Sequence, residues 1–66
     1  MNIQLNGEAY TVQIPATVQT LIDTLKLGQG RVAVELNQEI IPRSQYSEQT
    51  LAENDRIEIV QAIGGG

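Results

Sequence analysis

An Asn-Gly pair near the start of the chain constrains the fold most strongly. Asn6-Gly7 separates two short stretches in which apolar and polar residues alternate, and such alternation is typical of strands with one buried face. Asn-Gly favours a type I′ turn, because both central residues of that turn need positive φ. We therefore predict a β-hairpin of residues 1–6 and 8–14 that ends before Pro15. The apolar residues of its two strands, each set on one face, are Met1, Ile3 and Leu5, then Tyr10, Val12 and Ile14.

The apolar period changes after the hairpin. Four apolar residues follow the spacing i, i+3, i+4 and i+7, which places them on one stripe of an α-helix. We predict a helix over residues 18–27, with Thr17 as its N-cap and Gly28 in the left-handed position that ends it. Lys26 in the last turn complements the helix dipole. The stripe consists of Val18, Leu21, Ile22 and Leu25.

Three more strands are expected, over residues 31–37, 39–41 and 56–62. The segment between the last two predicts a helical turn near residues 44–46, an inward anchor at Leu51 and a turn at Asn54-Asp55. In the last strand, Ile57 and Ile59 are expected to face the core, while Glu58, Val60 and Ala62 face solvent. The order strand, strand, helix, strand, short strand, strand predicts an α+β fold. One mixed sheet curls over one helix, with the first and last strands paired in parallel at its centre.

Composition limits the function. The 66 residues form one domain and contain neither cysteine nor histidine, which excludes a disulfide, a thiolate nucleophile, a histidine base and the usual zinc sites. A net charge of -4 with four basic residues argues against nucleic acid and anionic membranes as partners. There is neither a leader pattern nor an apolar run long enough to span a membrane. We expect a cytoplasmic protein that binds other proteins.

The chain resembles the sulfur carriers of thiamine biosynthesis, which belong to the ubiquitin-like β-grasp family. The resemblance covers essentially the whole sequence, in "LNGE", "TVQTLIDTL", "VAVELNQEIIPRSQY" and "DRIEIVQAIGGG". The stretch in which Ile41, Pro42 and Arg43 follow "ELNQEI" is the most specific part. The Gly65-Gly66 ending is less specific, since MoaD-like carriers of molybdopterin synthesis and Urm-type proteins share it. MoaD-like chains tend to be longer.

The resemblance implies a carrier and not an enzyme. A ThiF-like adenylating enzyme would activate the carboxylate of Gly66 with ATP and Mg²⁺, and a cysteine-desulfurase relay would replace AMP with sulfur. The resulting thiocarboxylate would supply a ThiG-like thiazole synthase. The chain itself would bind no cofactor or metal. Gly64, Gly65 and Gly66 would form a flexible tail after a domain of residues 1–63, because glycine resists ordering and lacks the Cβ that would obstruct a narrow channel.

The partner-binding residues that we expect are Val60, Ala62 and Ile63, beside the tail, and Arg43. For Arg43, a partner contact and a solvated strand end remain equal alternatives. The third glycine, Gly64, has no obvious mechanistic role.

Other interpretations remain. A ubiquitin-like binding module with an inert tail is the second hypothesis, and a stand-alone enzyme is a weak third. Gly28-Gln29-Gly30 resembles a phosphate loop but follows a helix and lacks the lysine of such loops, which favours a helix stop. Four acidic residues have no metal-ligand spacing and are interpreted as a solvated face. These residues are Glu48, Glu53, Asp55 and Glu58.

Overall fold

The sheet and helix appear in the predicted order. The computed structural model describes residues 1–27 and 31–61 of the 66-residue chain. The strands are β1 (Asn2–Leu5), β2 (Glu8–Thr11), β3 (Val32–Leu36), β4 (Glu39–Ile41) and β5 (Arg56–Gln61). The helix α1 is Val18–Thr24, and a single 3-10 turn is Arg43–Gln45. That turn lies one residue earlier than predicted.

The five described strands form one sheet in the order β2-β1-β5-β3-β4. β1 and β5 are parallel, as predicted, and the other neighbouring pairs are antiparallel. β5, the last strand of the described residues, is therefore the middle strand of the sheet and joins the two hairpins. The sheet is mixed because β1 and β5 pair in parallel at its centre while each hairpin is antiparallel.

Both hairpin turns place an asparagine in the left-handed region. Asn6 and Gly7 have φ of 51° and 83°, so the predicted type I′ geometry is confirmed. The turn between β3 and β4 has Asn37 and Gln38 at φ of 51° and 71°. Asparagine tolerates this region because its short polar side chain can hydrogen-bond locally.

The helix begins where the sequence predicts and ends earlier. The Thr17 hydroxyl accepts from the Thr20 N–H at 3.2 Å, while the Thr17 N–H donates to the Thr20 hydroxyl at 2.8 Å. The helix ends at Thr24, and Lys26 lies beyond its last turn, at φ 60°. The Leu27 N–H donates to the Ile22 carbonyl at 3.0 Å, which completes a Schellman motif. The predicted end at residue 27 was wrong, because Lys26 takes the left-handed position that we assigned to Gly28.

The hairpin prediction was wrong at the end of the second strand. β2 ends at Thr11, the partner of Asn2, and one more rung joins Met1 to Val12. Val12 is partly buried, whereas Ile14 is 70% exposed and does not share the buried face. Beyond Val12, therefore, the strand pattern continues in the sequence without a neighbouring strand to pair with.

The core lies between the inner face of the sheet and one face of α1. The predicted stripe supplies Val18, Leu21 and Ile22, all buried, whereas Leu25 is only partly buried. Leu51 is buried as predicted. The Leu51 N–H donates to the Ala16 carbonyl at 2.9 Å, which holds the segment around Leu51 against the residues just before the helix. The sheet contributes Ile3, Val34, Leu36, Ile41, Ile57 and Ile59.

Tyr46 is a core residue that the sequence pattern did not reveal. It follows the 3-10 turn, is 5% exposed, and its hydroxyl donates to the Val32 carbonyl at 3.1 Å. The ring therefore fills apolar space while its polar end is satisfied at the start of β3.

The described residues include no helix with the length and apolar character needed to cross a membrane.

Candidate partner-binding face

β5 alternates between the core and solvent. Ile57 and Ile59 are 1% and 7% exposed, whereas Val60 is 65% exposed. Glu58 is also exposed. The strand register predicted from "RIEIVQ" is therefore confirmed. Because β5 is the middle strand, Val60 lies in the interior of the outer sheet face and not at a sheet edge.

The outer face combines a small apolar area with an acidic row. Val60 lies opposite Ala33 on β3, which is also exposed. Ile40 on β4 is 75% exposed. We call these three residues the outer patch. Beside it, Glu58 lies opposite Glu35, which in turn lies opposite Ile40. Two carboxylates directly opposite each other disfavour strand pairing, so this row does not improve the stability of the sheet.

Arg43 is exposed but is not adjacent to Val60. It begins the 3-10 turn that follows β4 and Pro42. β3 and the end of β4 lie between Arg43 and β5, and two strand spacings amount to about 10 Å. The structure thus leaves both alternatives for Arg43 open.

The other predicted site residues lie outside the described part of the chain, whose last residue is Gln61, opposite Val32. The roles assigned to them, and the boundary between domain and tail, stay predictions. Residues 28–30 also lie outside the described residues, but the helix that we expected to stop there already ends at Thr24. The site residues concerned are Ala62, Ile63, Gly64, Gly65 and Gly66.

Asn6 makes a contact that the sequence did not predict. Its side-chain oxygen accepts from the Ile59 N–H at 2.8 Å, and its side-chain nitrogen donates to the Ile59 carbonyl at 3.2 Å. Asn37 makes an analogous contact at the other end of β5, where its side-chain oxygen accepts from the Arg56 N–H at 2.9 Å. The sequence does show an asparagine at the first position of each hairpin turn. Which residue each asparagine side chain bonds, however, depends on the order of strands in the sheet.

Two of the acidic residues stabilise loops. Glu53 accepts from the Asn2 N–H at 3.2 and 3.3 Å. Asp55 accepts from the Ala52 N–H at 2.7 Å and from the Asn37 side-chain amide at 3.1 Å. Within residues 1–27 and 31–61, no three metal-ligating side chains of the His, Cys, Asp and Glu types are grouped as an ion would require.

Comparison with known proteins gives a consistent result. The family model described as the ThiS family matches residues 3–66. The sulfur carrier protein ThiS of Bacillus subtilis is 40% identical over 65 residues, which cover 97% of this chain and 98% of that protein. ThiS of Escherichia coli is 33% identical over the full length of both chains. The thiazole synthase of Paramagnetospirillum magneticum is 39% identical over 66 residues, and this chain spans only 20% of that protein's length.

The fold agrees with these sequence matches. The crystal structure of the thiamine biosynthesis protein ThiS from Geobacter metallireducens superposes with a TM-score of 0.83, at 35% identity and with full coverage of both chains. The mixed five-stranded sheet over one helix is thus a β-grasp fold of the ubiquitin-like class, and the predicted fold class is confirmed. Since the family model matches almost the entire sequence, the chain belongs to the ThiS family.

Proposed function

We propose that this chain is a sulfur carrier whose reactive group is the carboxylate of Gly66. The observation that supports this most directly is the ThiS family match, which extends through residue 66 and so includes the glycines. The sequence contains no cysteine and no histidine, so it offers neither a thiolate nucleophile nor a histidine base. In this proposal the chain is a substrate of other enzymes and not an enzyme itself.

The chemistry requires activation by a partner. A carboxylate is a poor electrophile, so a ThiF-like enzyme attaches AMP from ATP to one carboxylate oxygen of Gly66 and releases pyrophosphate. A persulfide of a cysteine-desulfurase relay then attacks the carbonyl carbon and displaces AMP, and a thiol reductant cleaves the S–S bond of the resulting acyl disulfide. The thiocarboxylate so formed donates sulfur to a ThiG-like thiazole synthase. ATP and Mg²⁺ belong to the activating partner, which we place with this chain in the cytoplasm.

We assign the docking function to the outer patch, with Ala62, Ile63 and Arg43 as further contacts. Val60 is 65% exposed and lies six residues before Gly66. A partner that binds this face holds the strand that leads to Gly66. Apolar side chains at the centre of an interface commonly contribute most of its affinity. The outer patch supplies such side chains, and Val60 is one residue before the end of β5.

The carrier proposal is tested by removing the reactive group alone. The protein is prepared with a free Gly66 carboxylate and, by semisynthesis, with a Gly66 carboxamide, which keeps every residue and removes the terminal charge. Each form is incubated with a ThiF-like enzyme, ATP and a sulfur source. Mass spectrometry then measures replacement of oxygen by sulfur. We expect replacement only in the free acid, with identical melting curves for both forms.

Two other variants make the result independent of synthesis. Deletion of Gly66, or addition of one residue after it, should abolish ATP–pyrophosphate exchange and leave the melting temperature unchanged. Unaltered exchange in either variant would contradict the proposal. Failure of the unmodified protein to acquire sulfur, although it binds the activating enzyme, would favour the binding-module hypothesis instead.

A further inference from the structure

The contact between Asn6 and Ile59 replaces a rung of the sheet. In the parallel pair, the N–H groups of Gln4 and Asn6 donate to the carbonyls of Asp55 and Ile57, both at 2.9 Å. If the ladder continued, the Ile59 N–H would donate to a main-chain carbonyl of β1, but β1 ends at Leu5. The side-chain amide of Asn6 takes its place, since it offers one donor and one acceptor as a peptide group does.

This contact lies where the pairing of β5 with β1 ends. Ile59 is two residues before Gln61, the last described residue, and seven before Gly66. On its other side, β5 is still paired with β3, through Val60 with Ala33 and Gln61 with Val32. On the β1 side, the ladder ends and the two bonds of Asn6 to Ile59 are the last hydrogen bonds between this hairpin and β5 within the described residues. β3 therefore holds one edge of β5 near its end, and Asn6 holds the other edge at Ile59.

The turn geometry makes this arrangement possible. Asn6 has φ 51° as the first residue of the type I′ turn, and its own N–H is held by the Ile57 carbonyl. With the backbone fixed on the Ile57 rung, the short side chain reaches the Ile59 rung. Aspartate at this position would retain the acceptor but would direct a second oxygen at the Ile59 carbonyl.

We propose that Asn6 is a positioning residue that sets the direction in which β5 delivers the end of the chain to the activating enzyme. The inference rests on the proposed function and extends it to a residue of the opposite hairpin. A strand fixed at both edges up to Ile59 narrows the range of directions available to the following residues. In reactions between bound groups, misplacement by about 1 Å can lower the rate by up to about 100-fold.

The molecule contains a matched control. Asn37 is also the first residue of a hairpin turn, also has φ 51°, and also bonds an N–H of β5 through its side-chain oxygen. Because β3 is antiparallel to β5, Asn37 holds the start of β5 and not its end. Asn6→Gly and Asn37→Gly each remove a side-chain bond to an N–H of β5 while glycine preserves the turn. Each also removes one bond made by the side-chain nitrogen, to the Ile59 carbonyl or to the Asp55 carboxylate. The two substitutions therefore differ mainly in which end of β5 they release.

Three measurements on both variants test the proposal. In the free protein, ¹⁵N relaxation should give lower order parameters at Val60 and Gln61 in Asn6→Gly than in Asn37→Gly. With the activating enzyme, Asn6→Gly should lower kcat for ATP–pyrophosphate exchange by about tenfold. The dissociation constant for the enzyme should stay within about twofold of wild type, because the docking face is intact. Asn37→Gly should leave kcat unchanged, although both variants melt at a lower temperature.

The possible outcomes are separable. Equal kcat values for the two glycine variants, or a fall in kcat without loss of order at Val60 and Gln61, would overturn the positioning role. Absence of exchange in wild type would refute the proposed function, while the relaxation data would still decide whether Asn6 orders the end of β5. If Asn6→Gly does not fold, Asn6→Asp replaces it, since aspartate also tolerates the turn and puts an oxygen in place of the donor to the Ile59 carbonyl.

Discussion

The two faces of β5 differ in what they require of the sequence. Ile59 is 7% exposed and belongs to the core, whereas the next residue, Val60, is 65% exposed on the outer face. Both are β-branched apolar residues, and hydrophobicity alone does not distinguish them. Their environments differ because side chains in a strand alternate between faces. Residues that stabilise this domain and residues that we assign to partner binding are thus interleaved along a single strand.

The sharpest test of this comparison places the same charge at both positions. Ile59→Asp puts an unpaired carboxylate into the core, which costs more than the roughly 3–5 kcal/mol that a core of this size supplies. We expect Ile59→Asp to be unfolded by circular dichroism at 25 °C, whereas Val60→Asp melts cooperatively within a few degrees of wild type. Similar melting curves for the two variants would mean that the strand register is wrong.

The helix side of the core should respond almost as strongly. Leu21→Ala removes a side chain that is 2% exposed, and Ile22→Ala one that is 3% exposed. Each should lower the free energy of unfolding by about 2–5 kcal/mol. Thr24→Ala, at an exposed position of the same helix, is the control and should change it by less than about 0.5 kcal/mol. Urea denaturation measures all three, and a loss at Thr24 equal to that at Leu21 would contradict the helix register.

Partner binding should be weakened by a charge at Val60 on the outer face and not by a charge at the far edge of the sheet. Val60→Asp should raise the Michaelis constant of the activating enzyme for this protein by about tenfold or more, because it places a charge at the centre of the docking face. Ile14→Asp is the matched control, since Ile14 is 70% exposed but lies beyond β2, at the far edge of the sheet. If Ile14→Asp raises the Michaelis constant and Val60→Asp does not, the docking face has been assigned to the wrong part of the molecule.

The smallest effect that we predict concerns a single hydroxyl. Tyr46→Phe removes the hydrogen bond to the Val32 carbonyl and should lower the free energy of unfolding by about 1 kcal/mol. Tyr10→Phe is the control, because the Tyr10 hydroxyl makes no hydrogen bond to the described residues and the ring is only partly buried. Thermal denaturation of both variants would detect the difference. Equal stabilities would show that the hydroxyl of Tyr46 is bonded as well in the unfolded chain as in the core.

Local patterns accounted for most of the fold. Period-two alternation identified the strands, and the Thr17 cap and the apolar stripe identified the start and buried face of the helix. The predicted end of the helix was wrong because glycine is preferred in the left-handed region but not required there, and here Lys26 adopts it at φ 60°. Ile14 was assigned to a buried face because alternation in the sequence does not reveal where the partner strand ends.

The residues of the candidate site were predictable only where their exposure follows from the alternation of apolar and polar residues along a strand. The exposure of Val60 could be inferred from its neighbours in β5. By contrast, the Asn6 side chain bonds to Ile59, which is 53 positions away in the sequence. That contact depends on β1 and β5 being neighbours in register, and no short segment encodes such a pairing. For the same reason, the burial of Tyr46 follows from its contact with β3 and from no periodicity of its own segment.

The central position of β5 also affects how the protein folds during its synthesis. Within the described sheet, the β1–β2 hairpin and the β3–β4 hairpin are joined only through β5. A nascent chain that lacks residues 56–61 therefore has two separate hairpins, each with an edge that its central strand has not yet covered. Pairing of β1 with β5 also has a high sequence separation, which slows folding. The sheet can close only after residues 56–61 have left the ribosome, so a folded domain is evidence that translation has passed β5.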